Sequence, residues 1–167
     1  MHVVGDSRSR EQRAETPEFL RMAPGFLIRE LFQSYTACWV RAIDSQLTGP
    51  QYSVLAVLRD NNGSDQASVA HAASLDVSTM VDVARRMERR GLIVRTRSMT
   101  DARRKVLQIT ALGEQVLTEA RRKVIQFDDA LFAHDPERKE EILAELLRLR
   151  NHWKATATEP EPRVPEV

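Results

Sequence analysis

The chain has 167 residues, of which 42% are apolar and 29% are charged, and its formal net charge is +1. This length suits one domain whose core is stable without covalent staples, and a single cysteine, Cys38, excludes an internal disulfide framework. Because no apolar run approaches the roughly 18 residues of a membrane span and no apolar N-terminal segment suggests a signal peptide, we expect a cytoplasmic protein without a membrane partner.

The chain begins with a polar arm and a long predicted helix. Residues 1–22 are polar and charged without a sustained period, which indicates a flexible N-terminal arm. From Pro24 to Ile43, apolar residues recur at three- and four-residue steps over about five turns. The segment 23–47 is therefore predicted to be mainly one helix.

Two shorter helices are predicted next. In TGPQ, Thr48 can serve as the N-cap of a helix that ends near Asp60, and Gln51 occupies the capping-box position. The sequence NNGS interrupts this helix. Asp65 can then cap a short third helix.

The fourth predicted helix is amphipathic. Asp76 can cap it by accepting a hydrogen bond from the amide near Thr79, and Gly91 suits the C′ position that ends it. One face of this helix is apolar and the others are polar or basic. The apolar face consists of Met80, Val83, Ala84 and Met87.

A hairpin is predicted after this helix. In LIVRTRS, Ile93 alternates with Arg95 and Arg97, and the run is too short for a helix. The polar turn SMTDARR follows, and KVLQIT resumes the alternation. These two runs therefore read as antiparallel strands.

Two long helices and a tail complete the chain. Thr110 can cap a fifth helix with an apolar stripe from Leu112 to Leu131. Asp135 is predicted to cap a sixth helix, with Pro136 at its first position and a stripe of Ile142, Leu143, Leu146, Leu149 and Trp153. The proline-rich end, residues 155–167, is expected to be disordered.

The positive charge is concentrated around the fourth helix and the hairpin. Between Arg85 and Lys105 there are nine bases and only two acids, Glu88 and Asp101, which gives this stretch a charge of +7. The remainder holds 16 bases and 22 acids, or −6. A cationic patch on an otherwise acidic protein is typical of a surface that binds an anionic polymer.

The order of these elements indicates a mainly α fold with a small β-wing. Two short helices joined by a tight turn and followed by a hairpin describe a winged helix-turn-helix. A helix fits the major groove of DNA, where polar side chains meet base edges and arginines neutralise phosphates. A basic hairpin beside it can reach a neighbouring minor groove.

Three stretches resemble the MarR-type bacterial transcription regulators. They are LTGPQYSVLAVL, LDVSTMVDVARRMERRGLIVR, and DARRKVLQIT leading into a long helix, and the resemblance covers roughly residues 24–154. The last stretch fits the family's wing pattern of Asp, any residue, Arg, five residues, an aliphatic residue and Thr. Here these positions are Asp101, Arg103, Ile109 and Thr110.

The resemblance implies a set of DNA-binding residues. Arg103 would enter the minor groove and Asp101 would orient it by a salt bridge, although this pair alone could simply stabilise the turn. Asp82 departs from the family, whose members often have a base there, so it repels phosphate unless it accepts from a cytosine amino group. The other candidates for the major groove and phosphates, which could instead form a solvated face, are Ser78, Thr79, Arg85, Arg86, Arg89, Arg97 and Arg104.

The resemblance also implies an obligate homodimer. The segments 23–47 and 111–154 would interlock with those of a second chain, and the lobe 48–110 would bind DNA. Two recognition helices about 34 Å apart would then bind a palindromic operator on double-stranded DNA. We expect such a nucleoid-associated protein to act as a repressor.

Members of this family often release DNA when a small aromatic anion fills the cleft beside the DNA-binding lobe. Tyr35, Trp39 and Tyr52 could supply aromatic walls for such an effector, and Arg29 or Arg41 could pair with its carboxylate. The alternative is that these aromatic side chains pack the core and these arginines are solvated.

Other functions have weaker support in the sequence. A winged-helix module could instead use the basic patch for an acidic protein partner. Cys38 could sense oxidants, but it has no partner cysteine, and a buried structural thiol is favoured. The four histidines lack metal-binding spacing, and no nucleophile elbow or phosphate-binding glycine loop occurs, so we expect no metal, no cofactor and no catalysis.

Overall fold

The computed structural model describes residues 15–43, 46–97 and 104–158. Most of these residues are helical, and three short strands form a small antiparallel sheet. The helices are α1 Glu18–Arg21, α2 Pro24–Ala42, α3 Gly49–Asp60, α4 Gln66–Ala72, α5 Val77–Arg89, α6 Ala111–Leu131 and α7 Lys139–Thr158. The strands are β1 Ser64–Asp65, β2 Ile93–Arg97 and β3 Lys105–Ile109.

The sheet confirms the predicted hairpin and adds one strand. Strands β2 and β3 are antiparallel, with Ile93 opposite Ile109 and Arg97 opposite Lys105. Strand β1 pairs with the other edge of β3, where Ser64 lies opposite Leu107, so the order is β1-β3-β2. Two residues are too few to produce an alternating pattern, and β1 was therefore not predicted.

Four of the predicted N-caps are confirmed. The Thr48 and Gln51 side chains form a reciprocal capping box at the start of α3. The side chains of Asp65, Asp76 and Thr110 accept hydrogen bonds from backbone amides at the starts of α4, α5 and α6. The starts of α3, α4, α5 and α6 are therefore each fixed by their own local sequence.

The predicted cap at Asp135 is wrong. Its side chain makes no capping hydrogen bond, because its backbone (φ −154°, ψ 71°) differs from the extended N-cap conformation of Thr48 (φ −73°, ψ 156°). Its carboxylate lies 3.8 Å from the Arg138 guanidinium instead. A 3₁₀ turn, Pro136–Arg138, then leads into α7.

The two ends of the described chain contain more helix than predicted. Helix α1 lies within the expected N-terminal arm, of which residues 1–14 are outside the described part. Helix α7 continues through Thr158, four residues into the expected tail, before the proline-rich segment begins. The Thr156 hydroxyl donates to the His152 carbonyl and thus adds to the last turn.

The core lies between α3, α4, α5, the sheet and α6. It confirms the apolar face of α5, since Met80, Val83, Ala84 and Met87 are all buried. Leu55, Leu58, Leu107 and Leu117 meet this face from the surrounding elements. Helix α2 reaches the same core mainly through Trp39.

The start of α6 is joined tightly to the end of α5. Gly91 ends α5 with φ +68°, a conformation that favours glycine, as predicted for the C′ position. The Thr110 hydroxyl donates to the Gly91 carbonyl at 2.7 Å and accepts from the Gly113 amide at 3.0 Å. A Cβ atom on Gly113 would collide with the Leu92 carbonyl oxygen, so this close approach requires glycine.

Candidate nucleic-acid interface and adjoining cleft

Helix α5 presents three different surfaces because its fourth side is buried in the core. Ser78, Asp82, Arg85 and Arg89 are exposed on the side opposite the buried residues. Thr79 and Arg86 lie on the flank that faces α2. The other flank faces the wing and bears Val77, Val81 and Glu88. The predicted DNA-binding residues of this helix are thus divided between its outward side and the α2 flank.

The start of α5 is organised around the Asp76 carboxylate. The Ser78 and Thr79 hydroxyls each donate to it at 2.6 Å, and the Thr79 amide donates at 2.9 Å. These hydrogen bonds hold the pKa of Asp76 well below its usual value. Because both hydroxyl protons are used here, the two oxygens offer only lone pairs, which accept from adenine or cytosine amino groups.

The outward side of α5 bears two exposed guanidinium groups. Arg85 lies 3.7 Å from the Asp82 carboxylate, and both side chains are well exposed, so this pair stabilises the helix only weakly. Arg89 is exposed one turn further along. Arg85 and Arg89 can therefore reach an anionic polymer at little cost.

The wing is attached to α5 by an ion pair that the sequence analysis missed. The Arg95 guanidinium of β2 binds the Glu88 carboxylate at 2.5 and 2.7 Å, and the Arg95 side chain is only 18% exposed. The hydrogen bond from Arg95 lowers the pKa of Glu88. Arg95 therefore holds the wing on α5, although sequence alone grouped it with the cationic patch.

A second arginine of the cationic patch also has a structural role. Arg90, just after α5, donates to the Gln46 carbonyl and, at 3.3 Å, to the Gln51 side chain. These contacts join the end of α5 to the connection between α2 and α3. The donor and its acceptors are 44 and 39 residues apart in the sequence, so no local signal predicts these contacts.

The predicted wing residues are only partly within the described chain. Arg97 is exposed at the end of β2, opposite Lys105. Arg104 is exposed at the base of β3 and helps to lower the pKa of the Asp65 carboxyl, which is set mainly by its hydrogen bonds with Ser68. Asp101 and Arg103 lie outside the described residues, so their minor-groove role stays a prediction.

A cleft lined by aromatic side chains adjoins the α2 flank of α5. It consists of two adjoining hollows of about 410 and 380 Å³ that share Phe32, Tyr35, Trp39, Gly49 and Pro50. The ring centroids of Trp39 lie 6.1 Å from Tyr35 and 5.5 Å from Tyr52. Trp39 is 4% exposed and its indole N–H donates to the Leu47 carbonyl, so it belongs to the core and to the cleft wall.

Charged residues line both hollows. Thr79, Asp82 and Arg86 of α5 line the first, so an acid and a base both border this end of the cleft. Asp128 of α6 lies at the second, beside Tyr52 and Ser53. Desolvation raises the pKa of Asp128 despite the opposing charge of Lys139, and it also raises the pKa of Tyr35. The cleft therefore has an aromatic middle, one end that offers a base beside an acid, and another end that offers an acid.

Comparisons with known proteins agree with this arrangement. A family model described as MarR family matches residues 47–105. The transcriptional regulator HosA of Escherichia coli O127:H6 is 33% identical over 121 residues, which are 72% of this chain and 89% of HosA. The chain belongs to the MarR family.

Solved structures show that the fold of this chain is also similar to that of known regulators. The PcaV transcriptional regulator of Streptomyces coelicolor, in complex with its natural ligand, gives a TM-score of 0.73 at 29% identity over 84% of this chain and 98% of PcaV. Bordetella bronchiseptica BpsR, whose DNA binding is regulated by 6-hydroxynicotinic acid, gives a TM-score of 0.67 at 26% identity. The match covers 76% of this chain and 97% of BpsR. The predicted winged-helix fold of a DNA-binding transcription regulator is thus confirmed, and the family is one of regulators, not enzymes.

The structure places some residues of α2 differently from the sequence-based expectation for the cleft and for Cys38. Arg29 stacks over the Phe26 ring at 6.0 Å, and Arg41 is exposed in the last turn, so neither lines the cleft. Tyr35, Trp39 and Tyr52 do come together there. The expectation of a buried Cys38 is wrong, because α2 turns Trp39 to the core and leaves Cys38 exposed.

Large apolar side chains of this MarR protein are exposed in the single chain. None of the residues of α7 is buried, and its stripe leaves Leu146, Leu149 and Trp153 in contact with solvent. Leu31 and Phe32 of α2 are exposed as well. None of the described helices is long and apolar enough to cross a membrane, and within the described ranges no cluster of three potential ligands suits a metal ion.

The cap at Asp76 predicts a specific dependence of stability on pH. Its pKa is lowered on folding, so its stabilising effect is complete above the usual value of 3.8 and is lost progressively as the pH falls from there through the lower folded-state pKa. Asp76→Asn should therefore lower the melting temperature at about pH 7, and this deficit should begin to shrink as the pH falls towards about 3. Melting temperatures by circular dichroism across this range test it, with Asp82→Asn as the control outside the cap. A constant deficit at every pH would contradict the assignment.

Proposed function

We propose that this MarR-family protein is a homodimeric repressor that binds a palindromic operator and is released by a small aromatic effector. The observation that carries the proposal is the position of α5. One side of this helix presents Arg85 and Arg89 outward, and its flank places Arg86 in an aromatic cleft. The same rigid element can therefore contact both DNA and the effector.

DNA contacts come from the outward side of α5 and from the wing. The helix enters the major groove, where Ser78 accepts from a base amino group and Arg85 and Arg89 contact phosphates. Asp82 lies at the centre of this side, where a cytosine amino group would be its favourable partner. Arg97 and Arg104 extend the basic surface along the wing, and Arg103, oriented by Asp101, enters the minor groove.

A second copy of the chain covers the exposed apolar faces. No other part of the described chain buries the apolar stripe of α7, which includes Leu146, Leu149 and Trp153. Patches of this kind usually mark an interface. Two chains related by a two-fold axis would present two α5 helices to one face of DNA, about 34 Å apart, which suits a palindrome.

The effector is proposed to be a planar aromatic acid with a hydrogen-bond donor on its ring. Its carboxylate would pair with Arg86, its ring would lie against Tyr35 and Trp39, and its hydroxyl or amino group would donate to Asp128. Because Arg86 belongs to α5, the bound acid would favour a position of this helix that does not match the operator spacing. Release of a protein that blocks the DNA then restores transcription.

Operator binding should depend on the outward arginines. Arg85→Ala should weaken operator binding and reduce the slope of log affinity against log salt by about one unit, because one phosphate contact is lost. Gel shifts at several salt concentrations, with duplexes from upstream of the gene, measure both quantities. The control is Arg138→Ala, a similarly exposed arginine in the turn before α7.

Two results would contradict this DNA-binding mode. One is equal affinity for every duplex, or none, which would favour a module that binds an acidic protein. The other is an unchanged affinity and salt slope for Arg85→Ala.

The assembly should have the mass of two chains. Leu146→Asp should lower the mass measured by light scattering after gel filtration, because a carboxylate would be buried without a partner in the interface. Val94→Asp, at a similarly exposed apolar position on β2, should leave the mass unchanged. A wild-type protein with the mass of one chain at micromolar concentration would rule out the dimer.

Effector binding should depend on both charged ends of the cleft. Calorimetry without DNA should show that an aromatic hydroxy acid such as 6-hydroxynicotinic acid binds more tightly than nicotinic acid, which lacks the hydroxyl. Arg86→Ala should weaken both acids about tenfold or more, the value of one charged hydrogen bond. Asp128→Asn should mainly reduce the difference in affinity between 6-hydroxynicotinic acid and nicotinic acid.

The matched control for the cleft is Arg89→Ala. This arginine is on the same helix but outside the cleft, so its removal should leave effector affinity unchanged. Failure of a panel of aromatic acids to bind, or equal binding by the Arg86 variant, would refute the proposed effector site.

A further inference from the structure

Val77 is an exposed apolar residue at the very start of the recognition helix. It is the first residue of α5, and 74% of its surface is exposed. Single exposed apolar residues are common on proteins and need no explanation by themselves. This one lies at the end of the helix whose first residues approach base edges in helix-turn-helix proteins, so its chemistry bears on what DNA sequence is bound.

The surroundings of Val77 combine an apolar floor with a basic rim. Val77 and Val81 line a hollow of about 330 Å³ together with Ala70 and Met80. Arg104 and Lys105, from the base of β3, lie at its edge, and Asp65 is the acid beside them. The two bases outnumber this acid, so the apolar surface between them fits an apolar group that is attached to an anionic polymer.

The polar side chains next to Val77 are held by the helix cap. The Ser78 and Thr79 hydroxyls donate to Asp76, which fixes them at the cap. The Val77 side chain has no hydrogen-bonding group, so this side chain can distinguish bases only by apolar contact. The C5-methyl of thymine is the apolar group that base pairs present in the major groove.

We propose that Val77 packs against the C5-methyl group of one thymine in each operator half-site and so selects thymine at that position. Lys105 and Arg104 contact the phosphate backbone on the wing side of that thymine. This inference rests on the proposed binding of an operator by α5. It adds a specificity-determining residue to that binding mode.

The test removes a single methyl group from the DNA. Each thymine of the operator is replaced in turn by deoxyuridine, which keeps base pairing and loses only the methyl. Wild-type protein should lose about fourfold in affinity at one symmetry-related pair of positions and little elsewhere, the factor expected for one buried carbon. Val77→Ala should bind the thymine and deoxyuridine operators at that position equally well.

A gain of the methyl group provides a second measurement. A cytosine–guanine pair at the selected position should weaken wild-type binding, and 5-methylcytosine should recover part of the loss. The Val77→Ala variant should show no such recovery. The control is Val94→Ala, an exposed valine on the wing strand, which should respond to both DNA changes as the wild type does.

The outcomes separate this inference from the function on which it rests. Specific operator binding with no sensitive thymine, or full methyl sensitivity in Val77→Ala, overturns the role of Val77 and leaves the regulator intact. Absence of specific binding to any duplex overturns both. Alanine is a good helix former, and an unchanged melting temperature of Val77→Ala shows that the loss of sensitivity is not a loss of fold.

Discussion

Burial of one face of α5 fixes which side chains this protein can offer to DNA. Met80, Val83, Ala84 and Met87 are packed against the rest of the lobe, so rotation of the helix would expose apolar surface and is strongly disfavoured. The outward position of Arg85 and the cleft position of Arg86 both follow from that packing. The buried face therefore fixes the positions of the outward side of α5, of the flank that faces the cleft and of the flank that faces the wing.

Polar contacts at both ends make α5 part of a stiff lobe. Asp76 closes its first turn, and Glu88 joins its last turn to the wing through Arg95. Arg90 then ties the helix end to the segment that follows α2. A ligand that displaces Arg86 would consequently move α5, the wing and the α2 connection together. In a dimer, such a movement would change the distance between the two α5 helices.

The predictions that held were those whose cause is local in sequence. Caps such as Thr48 with Gln51, and the apolar face of α5, depend on residues three or four apart. Strand β1, the contact of Arg90 with Gln51 and the approach of Asp128 to the cleft depend on distant segments and have no periodic signal. The error at Asp135 arose because residue type predicts a cap, whereas backbone conformation decides whether it forms.

Backbone NMR of the isotopically labelled 167-residue chain tests the central claim most directly, because it reports on the backbone amides throughout a titration with an operator duplex. The largest shift changes should fall on α5 from Ser78 to Arg89 and on Arg97 at the end of β2, with little change in α7. Operator binding that leaves the α5 amides unaffected and shifts those of another surface instead would contradict the claim that α5 is the DNA-binding element.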